Sequence, residues 1–368
     1  MMQNNSAKGV LSFEERLIYI LRAKYGMRGF LPFKMSKFEE YDLYMRNRDF
    51  LIGENIISFT DTDGTLLALK PDVTLSIIKN AKDAPGVKEK LYYSENVYRT
   101  QGSSHKFKEI MQIGLECIGD IDSYDVCESI WLAAESLSEI CDDFVLDVSH
   151  MGVVAPLLDA AEIGERERTE LLGYIAGKNM HEAAALLKKC DTPPELSEKI
   201  IELMSVRVPL SEAAERLGDI AKAEMGEAAV AEISALADSL KDSPFAEKIY
   251  FDASLMNDMN YYNGIVFRGF ISGVSEGVLS GGRYDALMKR MGKTSSGVGF
   301  AIYLDLLEGH FGEAESFDVD VLLIYDEKID TGAVMARVRA LTEEGFSVSA
   351  QRAVPEGVRY ARIERMEG

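Results

Sequence analysis

A chain of 368 residues is long enough to bury a large core and to divide into two or three domains, which excludes a small fold stapled by disulfides or metal. Its 61 acidic side chains against 40 basic ones, a formal net charge of -21, argue against a sequence-independent grip on nucleic acid, although a local basic patch can sit on an acidic whole. Cys117, Cys127, Cys141 and Cys190 show neither C-x-x-C spacing nor paired histidines, the opening residues are polar, and no apolar run approaches the roughly 20 residues that span a bilayer, so neither a metal site nor a membrane segment is expected and a soluble, cytoplasmic protein with reduced thiols is.

The first element is a helix from Ser12 to Tyr25, with Phe13, Leu17, Ile18, Ile20 and Leu21 at helical spacing, Ser12 and Glu15 as a capping box, and Gly26 placed to end it. GFLPF continues as an extended segment whose Pro32 favours an edge. IISFTD and LLALKPDVT, separated by the turn signal DTDG, read as a hairpin between Ile56 and Thr74. At its end Asp72 and Thr74 can jointly accept hydrogen bonds from an ammonium group, or Asp72 can cap the helix that begins near Leu75, Ile77 and Ile78; the two roles are compatible.

Leu91 to Gly119 reads as a second hairpin. In its second run Gln112, Gly114 and Glu116 alternate with Met111, Ile113, Leu115 and Cys117, which puts the amide and the carboxylate on one face. Arg99 and Gln101 share a face across the loop; either that face is simply solvated or it meets a small charged ligand. Ser123 to Ile140, carrying Trp131, is helical by its apolar spacing, and FVLDVSH is a buried-type strand. From about residue 152 to 242 the chain is rich in Ala, Leu, Glu and Lys and broken by Pro193, Pro194 and Pro209, which predicts an all-helical insertion in which His181 is an ordinary helix residue. Strand texture returns with KIYFDASL, followed by NYYNGIVFRGF, GVLSGGRYDALM and SSGVGFAIYLDLLEG. The tail from Phe317 reads as one β-α-β unit ending in GFSVSAQRAV.

VYR, a short basic loop and Q-x-G-x-E-x-x-G resemble motif 2 of the class II aminoacyl-tRNA synthetases, in the histidyl-tRNA synthetase variant. KPDVT is similar to that family's R-P-E-x-T segment, MNDMNYYNGIVF to its L-V-R-G-L-D-Y-Y-T-G-T-V-F signature, GGRYD matches, and GFAIYLDLLEG is similar to motif 3. The resemblance implies an α+β fold for residues 1–314, a class II antiparallel sheet flanked by helices with the insertion at about 152–242, and a truncated α/β unit over 315–368 related to an anticodon-binding domain. It also implies a dimer built through the helix and proline strand from Phe13 to Pro32, and a pocket for L-histidine formed by Asp72, Thr74, Arg99, Gln112, Glu116, Tyr261, Tyr262 and Tyr284. Departures fall on the ATP side: Gln101, Lys106 and Lys108 in motif 2, Asn257, Asp258 and Asn260 in the signature, and Asp305 and Leu306 in motif 3, where the family has a glutamate and a phosphate-gripping arginine. Without those cations adenylation is expected to be lost.

A synthetase-like chain with the amino-acid pocket kept, the ATP arginines gone and the tail shortened resembles the regulatory subunits of ATP phosphoribosyltransferase. That implies a non-catalytic chain with no cofactor, partnered by a short-form catalytic subunit, with histidine as feedback effector and no tRNA. A histidine-tRNA ligase with unusual motifs and a free-standing histidine-binding module are the other readings.

Overall fold

The computed structural model describes residues 11–51, 56–101, 106–221, 227–255, 261–307 and 317–367. The expectations for Asn257, Asp258 and Asn260 lie outside the described residues, and so does the side chain of Gln101. Two compact units result, Glu14–Glu308 and a second that holds the C-terminal residues from Gly309.

In the first unit, helix α1 (Phe13–Met27) leads to strand β1 (Leu31–Pro32). Gly29, with φ of 82°, takes the left-handed position that ends the helix, where Gly26 was expected. The Phe30 amide donates to Tyr25 O and the Gly29 amide to Gly26 O, both at 3.1 Å, which is the Schellman pattern, and it buries Phe30 beside Tyr25. Pro32 sits on an edge: β1 is paired only to β5, in parallel.

β2 (Phe38–Glu40), α2 (Tyr41–Arg46), β3 (Ser58–Thr60) and β4 (Leu66–Leu69) follow. The expected hairpin is β3–β4, with Gly64 at φ of 89° in its turn, and β2 adds an unexpected third strand on the other side of β4. Helix α3 (Thr74–Asn80) precedes the long hairpin β5 (Lys88–Gln101) and β6 (Lys106–Gly119), in which Tyr93 faces Gly114 and Leu91 faces Glu116. Then come α4 (Ser123–Ile140) and β7 (Phe144–His150).

The insertion holds α5 (Met151–Ala160), α6 (Glu165–Ala176), α7 (Met180–Lys189), α8 (Pro194–Met204), β8 (Arg207–Pro209), α9 (Ala213–Ala221) and α10 (Glu227–Leu240). It is not purely helical. Pro209, expected only to break a helix, closes the three-residue strand β8, which pairs antiparallel with β9 (Ile249–Asp252) at the end of the main sheet, where a missing amide hydrogen is tolerated. His181 is exposed in the first turn of α7. β10 (Ile265–Ile271), β11 (Leu279–Arg283), α11 (Asp285–Arg290) and β12 (Ser296–Tyr303) complete a nine-stranded sheet of order β1-β5-β6-β12-β11-β10-β7-β9-β8.

Directly opposed residues in such a sheet share a face. Tyr92, Leu115, Phe300, Gly281, Phe267 and Val148 form one cross-strand row, and α1 and α4 cover that face. Tyr25 meets Phe300 edge-on at 6.2 Å between ring centroids and bonds Ser136 of α4 at 2.8 Å through its hydroxyl. The next row, Tyr93, Gly114, Ala301, Ser280, Arg268 and Asp147, faces the other way. There α3, α11 and β4 build a second core around Ala68, Leu75, Ile77, Ile78, Val97 and Leu287.

The second unit consists of β13 (Val319–Ile324), α12 (Thr331–Glu343), β14 (Val348–Gln351) and β15 (Tyr360–Arg365), with β13 central and all pairs parallel. The expected β-α-β unit is present, and β15 is a strand that sequence reading did not find. YARIER shows no apolar alternation because the strand lies on an edge, its charges largely in solvent.

At Gly269 of β10 there is no room for a side chain: a Cβ would lie 2.6 Å from Leu137 Cδ1 of α4. Gly269→Val is expected to lift α4 from the sheet and lower stability by about 1–3 kcal/mol. The check is a drop in the urea midpoint with an unchanged m-value.

Candidate functional site

The sheet face opposite α1 and α4 has a floor of very small residues, and a cavity exists because of them. Gly114, Gly299, Ala301, Ser280 and Gly282 lie next to one another on β6, β12 and β11. A Cβ at Gly299 would stand 2.6 Å from Glu116 Cδ, one at Gly297 would stand 2.7 Å from Tyr284 Cζ, and one at Gly282 would stand 2.7 Å from Tyr262 Cδ1. Each glycine therefore clears the space that a functional side chain occupies. The enclosed volume is about 280 Å³, and all eight residues expected to bind the ligand line it.

Glu116 is its deepest acid. The carboxyl is 2 % exposed and is held by Thr74 Oγ1 at 2.7 Å and by the Tyr284 hydroxyl at 2.6 Å. Burial pushes its pKa up to about 8, against the two hydrogen bonds, which favour the anion, and with help from the Asp72 charge. The pocket thus holds a neutral acid at pH 7 that becomes an anion once a cation comes near.

Asp72 caps a helix start and lines the cavity. Its Oδ1 accepts from the Leu75 amide at 2.9 Å, capping the start of α3, and the carboxyl also lines the cavity. Burial raises its pKa while Arg99, 3.7 Å away, opposes the rise. Arg99 is itself buried, and its Nε donates to Pro71 O at 2.6 Å, which fixes the guanidinium beside the start of α3. Of the two buried carboxyls, Asp72 has the guanidinium beside it and Glu116 is held by two hydroxyl groups, leaving capacity for one further positive group.

Gln112 is 2 % exposed, yet among the described residues its Nε2 has no hydrogen-bond partner. A buried amide left unpaired is costly, and this residue lines the cavity. Tyr261 and Tyr262 pack on each other at 4.7 Å between centroids and Tyr261 lies 6.1 Å from Tyr284, so aromatic packing and cavity lining are the same arrangement.

Sequence reading missed Phe50, Tyr93, Ser280 and Tyr303, which also line the cavity. Tyr93 could have been found from hairpin register, since it stands opposite Gly114, where a Cβ would lie 2.6 Å from its hydroxyl. Phe50 had no signal, because it ends a single 3-10 turn, Arg48–Phe50, after α2 and reaches the site only by folding back to 6.4 Å from Tyr261. Of the residues that depart from the family motifs, Leu306 is half-buried, and Lys108 is paired with Asp305 at 3.1 Å.

A family model described as histidyl-tRNA synthetase matches residues 11–307. An ATP phosphoribosyltransferase regulatory subunit from Caldanaerobacter subterraneus subsp. tengcongensis is 32% identical over 270 residues, which is 71% of this chain and 70% of that protein. Among solved structures, an ATP phosphoribosyltransferase regulatory subunit/histidyl-tRNA synthetase from Bacillus halodurans superposes with a TM-score of 0.78 at 24% identity, covering 96% of this chain and 94% of that one. A chain of an ATP phosphoribosyl transferase complex from Thermotoga maritima superposes with a TM-score of 0.63 at 22% identity, covering 80% and 97%. At these identities the two structures speak to the fold, an α+β class II synthetase architecture, and the family model and the sequence relative speak to descent. The chain belongs to the histidyl-tRNA synthetase family, and within it to the ATP phosphoribosyltransferase regulatory subunits.

Proposed function

We propose that this chain is the non-catalytic regulatory subunit of a short-form ATP phosphoribosyltransferase, acting in the first step of histidine biosynthesis, and that L-histidine bound in the cavity carries the feedback. Family membership supports the role, and one observation carries the ligand: two buried carboxyls, one guanidinium and an unpartnered Gln112 amide converge on a cavity of amino-acid size. In this reading Asp72 and Thr74 take the ammonium group, Gln112 and Arg99 take the carboxylate, and Glu116 and Tyr284 face the imidazole between Tyr261 and Tyr262. Adenylation lacks its cations, because Leu306 offers no charge and Lys108 is neutralised by Asp305. Feedback then requires that histidine bind two states of the complex with different affinity.

The protonation of Glu116 sets the pH profile of binding. Below about 6.5 free histidine is an imidazolium facing a protonated Glu116, and a proton must leave. Above about 8 Glu116 is ionised and the imidazole neutral, and a proton must be taken up. Between these limits one proton is shared, so calorimetric affinity should be flat, falling on both sides. Glu116→Gln should lose the fall above pH 8, Glu116→Ala should abolish binding, and histidine-dependent pyrophosphate exchange with ATP should be absent.

Mixing with a short-form catalytic subunit should produce phosphoribosyltransferase activity that histidine inhibits. Asp72→Ala or Tyr261→Ala should raise the inhibitory histidine concentration about tenfold or more while uninhibited activity stays near the wild-type level. Inhibition of these variants at wild-type concentrations would move the effector site to the partner.

Self-association is part of the same proposal. Tyr19, Met27 and Leu31 on α1 and β1 are 67%, 80% and 65% exposed, apolar beyond what one chain uses, and a second copy related by a two-fold axis covers such a surface. Sedimentation at micromolar concentration should give twice the chain mass, and Tyr19→Glu should shift it toward the monomer.

A further inference from the structure

A second cavity, of about 370 Å³, lies on the same face of the sheet, over β10, β7, β9 and β8 and the C-terminal end of α6. Ser280 lines the first cavity, and its cross-strand partner Arg268 lines the second together with Asp147, the next residue in the row.

Among the described residues, the charges around this second cavity do not cancel. Asp147 Oδ1 accepts from Arg207 Nη2 at 2.9 Å and from its Nε at 3.2 Å. Asp252 Oδ2 accepts from Lys178 Nζ at 2.9 Å, and its Oδ1 accepts from the Ser254 amide at 2.9 Å. Two carboxylates are thus matched by Arg207 and Lys178, and Arg268 is left over. Its Nε is buried with no hydrogen-bond partner, and among the described residues it makes no ion pair. Gly277 leaves the room its stem occupies, since a Cβ there would meet Arg268 Cγ at 2.8 Å and Cδ at 2.9 Å. The Phe270 ring lies 5.8 Å from the guanidinium carbon, and Val145 adds apolar wall.

A half-buried guanidinium without an ion pair among the described residues is stabilised by an oxyanion, and its planar fork suits a carboxylate or a phosphate. We propose that this second cavity binds a small metabolite bearing an oxyanion and an apolar body, with Arg268 taking the oxyanion, Phe270 and Val145 the body, and Lys178 guarding the mouth with its side chain 59% exposed. The site is independent of the histidine reading, which concerns the first cavity alone.

Phenyl phosphate, benzoate and inorganic phosphate, each titrated into the full chain by calorimetry against sodium chloride of equal ionic strength, test the proposal. At least one should bind saturably, and the responding probe tells a phosphate from a carboxylate. Arg268→Met should weaken it about tenfold or more, Arg268→Lys should restore part of the loss, and Lys178→Met should weaken it about threefold. Arg99→Met, in the first cavity, should leave it unchanged. Saturable binding that is unaltered in Arg268→Met, or lost in Arg99→Met, overturns the assignment, as does the absence of saturable binding by all three probes. If Arg268→Met does not fold by circular dichroism, Lys178→Met decides, and unchanged affinity there overturns it too.

Discussion

A carboxyl group removed from water ties the first cavity together. Glu116 joins α3 through Thr74, 42 residues away, and the start of α11 through Tyr284, 168 residues away, while Gly299 beside it on β12 must stay without a side chain. An ionised carboxylate at this depth would be expensive without a cation, so the carboxyl holds its proton, and burial rather than a neighbouring charge is the main cause. A cationic or proton-accepting group turns an isolated buried acid into a paired one, and a purely apolar ligand leaves it as it was.

Along one cross-strand row the sheet sorts its chemistry by side-chain size. Gly114, Ala301 and Ser280 give depth to the first cavity, and the next two positions, Arg268 and Asp147, bring charge to the second. On the opposite face the neighbouring row is aromatic and aliphatic and is sealed by α1 and α4. The period of two along each strand keeps the faces separate, so binding chemistry can change on one without disturbing the packing of the other. This separation lets the synthetase fold persist with Leu306 and a Lys108–Asp305 pair in place of the family's residues, since neither belongs to the buried clusters around Ala68 or Phe300.

The insertion contributes to the sheet it interrupts. β8 extends the sheet by a ninth strand, and its Arg207, with Lys178 just beyond α6, neutralises Asp147 and Asp252 of the main sheet. His150 reinforces the junction: its Nδ1 accepts from the Gly152 amide at the start of α5, and its Nε2 meets Glu232 of α10, both at 3.0 Å. The second cavity therefore depends on the insertion being docked, whereas the first is built from the sheet, α3, α11 and nearby loop residues.

The order of residues by itself determined the elements whose signals are local. The alternation of Gln112, Gly114 and Glu116, the turn at Gly64, the helical spacing of α1 and α4 and the edge proline at 32 all depend on neighbours a few positions away, and the structure has each of them. Family motifs also named eight cavity residues that geometry then gathered around one space. Tertiary structure alone decided the rest. β8 and β15 are edge strands too short or too charged to carry a pattern, Gly29 replaced Gly26 because the Schellman bonds and Phe30 burial set the helix end, and the surplus charge of Arg268 appears only when four strands and the end of a helix are counted together. Pairing and burial between distant segments are many-body quantities, and no short window of sequence contains them.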